Sequence, residues 1–219
     1  ETGLVLADLM PLPESWPVEH PRSSWRRHTP ACDPIVGAGS LLARAPHPGL
    51  AALVLLDALQ PVGVSALYQD ENGLLPAVGS VAKDEPLAAV QVLRGEGLLS
   101  LGTVVAPRGR TRRGRRALTV RSLDPDVEVD QVVRYGDLCV LSASLLGGSS
   151  EPPLLELIPA RGFDLGRGAG KSIQMTYRPG ACGLIVDARG RPLELATEGG
   201  ARREQMDEWL FTMTGERGT

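Results

Sequence analysis

The sequence predicts an α+β protein in which a small α/β segment over residues 35–97 leads into a β-rich, sandwich-like or barrel-like module over residues 98–219, closed by a terminal amphipathic helix. Three observations predict it. Apolar residues recur at helical spacing before residue 97 and in short alternating runs after it. Glycine and proline, 26 and 18 of 219 residues, make up about a fifth of the chain against roughly 12% on average, which favours short elements and tight turns over a long helical bundle. Near the end, Met206, Trp209, Leu210 and Met213 fall on one face of a helix over residues 202–213.

Residues 1–34 read as an irregular leading segment, because Pro11, Pro13, Pro17, Pro21, Pro30 and Pro34 each turn the preceding residue away from helix. Ile35 and Val36 then form a short strand that enters the turn Gly37-Ala38-Gly39-Ser40 and a helix start at Leu41-Leu42-Ala43. The spacing of Leu50, Leu53, Val54 and Leu56, with Pro48 before it and Pro61 and Gly63 after it, predicts a helix over 48–60. A strand over 64–68 runs into the turn Asp70-Glu71-Asn72-Gly73, and residues 74–82 have helical character despite Pro76 and Gly79. Asp84 is placed to cap a further helix with Pro86 in its first turn, ending before Gly95. Short β-type runs follow at 99–105, 118–120, 127–129, 132–133, 139–141, 154–157 and 183–186, with a hairpin expected over 184–195 around Arg189-Gly190.

Composition excludes several classes. The richest apolar run, Leu50 to Leu59, is broken by Asp57 and is too short to span a bilayer, so no membrane partner is expected and a cytoplasmic protein is. Cys32, Cys139 and Cys182 are odd in number and far apart, which fits buried thiols in a reducing compartment rather than a disulfide framework or a zinc site. His20, His28 and His47 lack metal-ligand spacing, so no metal is expected, and no serine or cysteine nucleophile signature accompanies them. Asp57, Asp70, Asp164 and Asp187 pair on paper for acid–base work, with turn or cap roles as the default for Asp70 and Asp187.

Two motifs invite a phosphate. Gly166-Arg167-Gly168-Ala169-Gly170-Lys171-Ser172 ends like a nucleotide loop, yet Leu165 stands where the first glycine belongs and the following residues alternate like a strand, so a glycine-rich β connection is expected. Arg108, Arg110, Arg112, Arg113, Arg115 and Arg116 crowd into nine positions. Without interleaved aromatics, and in a chain of net charge −3, they read as a solvated loop, and nucleic acid is not the expected partner.

The stretch Asp33-Pro34-Ile35-Val36-Gly37-Ala38-Gly39-Ser40-Leu41-Leu42, the helix after it, Leu67-Tyr68-Gln69-Asp70 and the run from Leu74 to Val81 resemble the closing part of an actin-like ATPase domain. The later runs Ile158 to Leu165 and Gly183 to Leu193 are similar to the C-terminal region of the glutamate mutase L family, actin-like proteins of bacterial type encoded near cobalamin-dependent mutases. The resemblance implies a C-terminal fragment, inactive alone, of an accessory, chaperone-like factor whose partner is a mutase-type enzyme. It also implies that Gly37, Gly39 and Ser40 face the adenosine of ATP or ADP, and only when an upstream domain carrying the phosphate loops and catalytic carboxylates completes the site. No catalytic residue carries over. The alternatives are a non-catalytic protein-interaction module with a purely structural glycine turn, and a nucleic-acid binder acting through residues 108–116.

Overall fold

The computed structural model describes residues 32–95, 97–146 and 152–215, so nearly all of the predicted leading segment 1–34, with His20 and His28, lies outside the described residues. The protein is a mixed α+β structure, and among the described residues no barrel closes. Strand β1 (Ile35–Gly37) leads through α1 (Ser40–Ala43) and α2 (Pro48–Leu59) to β2 (Gly63–Gln69), which pairs parallel to β1. His47 caps α2 by accepting a hydrogen bond from Gly49 N at Nδ1, 3.0 Å away, while Pro48 occupies the first turn and Gln60 ends it in the left-handed region at φ 46°.

Helices α3 (Leu74–Val81) and α4 (Pro86–Arg94) then project from the connection to β3 (Leu99–Ala106). Asp84 does not cap α4: the helix starts one residue later than that role requires, with Glu85 at the cap position and no side-chain bond. The remaining strands are β4 (Arg108–Gly109), β5 (Arg116–Ser122), β6 (Asp130–Arg134), β7 (Leu138–Leu141), β8 (Leu154–Pro159), β9 (Phe163–Asp164), β10 (Ile173–Thr176) and β11 (Leu184–Asp187), and α5 (Gly199–Thr214) closes the described chain. The apolar run at 127–129 is not a strand of its own; it belongs to the turn into β6, where Val127 N donates to Asp124 O at 3.2 Å.

A five-stranded sheet of order β1-β2-β3-β11-β7 lies at the centre, and β2 pairs antiparallel with β3 across the predicted boundary near residue 97. Its two faces carry two cores. Leu67, Leu101, Val104 and Ile185 pack against α2, Trp209 and Met213 on one side. Val105, Leu184 and Val186 pack on the other side against Leu118, Val120, Leu155 and Leu157 of an antiparallel four-stranded sheet of order β10-β8-β5-β6. Covering on both faces explains why β11 reads as the continuous apolar run Leu184-Ile185-Val186 and why β3 is buried at every position from Leu101 to Ala106. Where β3 approaches the turn before β11, a Cβ on Gly102 would stand 2.1 Å from Gly183 O, and its φ of +131° is reserved for glycine.

Two expectations fail near the end. No hairpin forms over 184–195, because residues beyond Asp187 curl into an ionic knot instead of a second strand. Helix α5 buries Gln205, Trp209 and Met213, whereas Met206 is exposed. Gln205 takes the inward position because its Oε1 accepts a hydrogen bond from Ala196 N at 3.0 Å, which offsets burial of its amide.

Candidate functional site

The structure places Gly37, Gly39 and Ser40 at the carboxyl ends of the parallel strands β1 and β2, the edge at which open α/β sheets take ligands. Gly37 ends β1 and is buried; its carbonyl accepts from Asp70 N at 2.8 Å. A Cβ there would stand 2.9 Å from Leu42 Cδ1 and 3.0 Å from Leu55 Cδ1, so a side chain at this position crowds two leucine methyl groups of the core. Gly39, at φ +99°, and Ser40 are exposed, with open space around Gly39. Beside them, Gln69 Nε2 donates to Leu42 O at 2.7 Å, while Gln69 Oε1 is buried without a partner. The Asp70 carboxylate accepts from Leu74 N and Leu75 N at 2.8 and 2.9 Å, caps α3 and is thereby committed to structure.

The glycine-rich stretch 166–172 is closed. Asp164 Oδ1 accepts from Gly166 N at 2.7 Å and from Gly168 N at 2.8 Å, so the protein's own carboxylate occupies the amides a phosphate would need, and β10 rather than a helix follows. Asp164 is therefore a turn former.

Asp57 and Asp187 do meet, through arginine. Asp187, fully buried at the end of β11, accepts from Arg189 Nε at 3.0 Å, Arg189 NH2 at 2.8 Å and Arg191 NH2 at 2.8 Å. Burial pushes its carboxyl up, but the charges and hydrogen bonds of Arg191 and Arg189 outweigh burial and hold it at about 2. Asp57 Oδ1 lies 2.8 Å from Nη2 of the same Arg189, off the hydrogen-bond direction, and burial raises its pKa against the opposing pull of the Arg189 charge. The guanidinium of Arg189 stacks 4.5 Å from the ring centroid of Trp209 and is held charged, since the partners Asp187 and Asp57 overcome burial. This cluster clamps α2, β11 and α5 together; Asp187 is saturated by the two arginines, while Asp57 Oδ1 keeps no hydrogen-bond partner. Composition alone did not separate it from surface charge, although an acid ending an apolar strand with arginines two and four residues on was a legible signal.

A groove of about 900 Å³ runs between α5 and the outer strands β6 and β7, lined by Arg113, Asp137, Glu204, Gln205, Glu208 and Trp209. Cys139 borders it, but burial and then the Asp137 charge raise its pKa, which disfavours the thiolate. Among the described residues no group of three or more His, Cys, Asp or Glu side chains gathers to hold a metal, and no helix is long and apolar enough to cross a membrane.

The least satisfied surface is the α3–α4 pair. Helix α3 buries no side chain and α4 buries Ala89 alone, while Leu87 is 77% exposed and Val81, Val90 and Val92 are each close to half exposed. No family model matches the chain, nor does any curated protein or solved structure.

Proposed function

We propose that the chain is a non-catalytic protein-binding module whose docking element is the α3–α4 pair. The observation that carries this reading is the exposure of Val81, Leu87, Val90 and Val92 on helices that contribute one buried side chain to the protein's own core. Helices of eight and nine residues are marginal without tertiary burial, so a partner surface over these aliphatics supplies what the fold does not. Within the resemblance to the glutamate mutase L family, that partner is a mutase-type enzyme and the chain is an accessory factor. The test is calorimetric binding of the chain to a purified cobalamin-dependent mutase. Leu87→Asp and Val90→Asp are each expected to weaken binding about tenfold or more, the scale of one buried aliphatic side chain, with unchanged thermal melting. Absence of binding, or a Leu87→Asp variant that binds like the parent, refutes the reading.

A second reading is favoured by the open turn at Gly39 beside the unpartnered Gln69 Oε1. In it the chain is the C-terminal part of an actin-like ATPase, and Gly39 and Ser40 form one wall of an ATP or ADP site that upstream residues complete. Titration of both nucleotides into an upstream-completed chain tests it. Binding that Ser40→Trp weakens is expected, and no binding by the completed chain ends this reading.

A further inference from the structure

The two phosphate-like motifs, more than forty residues apart and each unconvincing alone, are joined in the fold by the β4–β9 ribbon, in which Arg108 pairs with Asp164 and Gly109 with Phe163. Strand β4 runs directly into the turn bearing Arg112, Arg113 and Arg115, which leads to Arg116 at the start of β5, and β9 is flanked by Arg161 on one side and by Arg167 and Lys171 on the other. All of these side chains are exposed. Because Asp164 takes the amides of Gly166 and Gly168, the loop stays closed and its cations are left on the outside. Across β5–β6, Arg116 stands directly opposite Arg134, a like-charge pair that destabilises a sheet unless an anion bridges it. Arg134 turns to the carbonyl of Gly114 at 2.9 Å. In this group, among the described residues, Arg110 alone meets a carboxylate, Glu194 at 2.8 Å. A chain of net charge −3 has thus gathered exposed cations on and around the β4–β9 ribbon.

We propose that this face binds duplex nucleic acid through its phosphate backbone. The cations are nearly all arginine, whose planar fork matches phosphate oxygens in a bidentate way. The glycines between them carry no side chain to hold a backbone away. Neither basic segment carries an exposed aromatic or large aliphatic residue, so there is no platform for unstacked bases and no anchor for a lipid surface. A sequence-blind, salt-sensitive grip on a duplex is what remains.

Fluorescence anisotropy of a labelled 20-base-pair duplex, titrated with the whole chain at several salt concentrations, tests this. With about six phosphates neutralised, affinity is expected to fall on the order of 10³-fold between 50 and 200 mM salt. Two triple variants, Arg112→Ser with Arg113→Ser and Arg115→Ser, and Arg161→Ser with Arg167→Ser and Lys171→Ser, should each flatten the logarithmic salt slope by about three. Hydrogen exchange on the unsubstituted chain gives a check independent of any variant's folding: duplex must slow exchange in both 108–116 and 161–172. No duplex binding at 50 mM salt overturns the proposal, as does an unchanged slope in the second variant. Binding to anionic phosphatidylserine vesicles without duplex affinity also overturns it.

Discussion

Replacing Asp187 by Asn tests whether the buried ionic cluster holds the architecture together. The side chain is fully buried and accepts three bonds from the guanidinium groups of Arg189 and Arg191, plus one from Arg189 N at 3.2 Å. Asparagine keeps the volume and removes the charge. Arg189 is then left buried against Asp57, which is partly solvated and off the hydrogen-bond direction, with NH1 of Arg189 already lacking a partner. Removing one member of a buried ion pair costs about 3–5 kcal/mol, since the other charge remains desolvated. In a domain of this size each kcal/mol lowers Tm by roughly 2–4 °C, so a fall of about 6–20 °C is expected. Urea unfolding followed by far-ultraviolet circular dichroism measures the loss. The double variant Asp187→Leu with Arg189→Met should cost less than the sum of its single changes, because the charge stranded in either single variant is gone. A loss below about 1 kcal/mol for Asp187→Asn, or strict additivity in the double variant, would refute the argument that the cluster is a coupled clamp.

Acid titration reads the same group without a substitution. A carboxyl whose folded pKa lies below its unfolded value stabilises the protein only while ionised. The drop of Asp187 from 3.8 to about 2 therefore contributes about 2 kcal/mol that is present above pH 4 and lost as pH falls toward 2, partly offset by Asp57, whose raised pKa acts the opposite way. Urea midpoints measured across that range should fall with pH in the parent and fall less in Asp187→Asn. Gly37→Val should destabilise by about 1–3 kcal/mol by overpacking against Leu42 and Leu55, measured by thermal melting, so any loss of ligand binding in that variant reports on folding first. Cys182, whose thiol burial lifts to about 11, should label with an aromatic disulfide at pH 8 roughly 100-fold more slowly than in urea, read by peptide mass spectrometry; equal rates would contradict its burial.

Much of the local structure was readable because it depends on neighbours along the chain. Pro48, the apolar spacing after it and the Pro61–Gly63 stop define α2 before any tertiary contact is known, and Asp70 beside Gly73 signals the turn that opens α3. Short apolar runs bounded by turn residues likewise located most strands after residue 97, including β5, β8 and β11. The exceptions share a cause. A hairpin after β11 was the natural reading of Arg189-Gly190, but Asp187 is buried far from water, and both following arginines bend back to neutralise it. Met206 looked like an inward residue of α5, and Gln205 is buried instead, its Oε1 bonded to Ala196 N just before the helix.

The candidate sites divide the same way. Contiguous residues alone predicted the strand-to-helix turn that carries Gly37, Gly39 and Ser40, whereas the leucine methyls of α1 and α2 that crowd position 37 come together only in the fold. Composition, periodicity and turn chemistry by themselves determined the α+β class, the extent of α2 and the presence of the closing helix. Only the tertiary structure decided that β1–β3, β7 and β11 share one sheet with a core on each face, that Asp57 and Asp187 meet across Arg189, and that two basic motifs share a ribbon. The physical reason is that burial, ion pairing and strand pairing depend on distance in space, and a chain of this length brings together residues more than a hundred positions apart, as Arg191 and Pro61 O show at 3.1 Å.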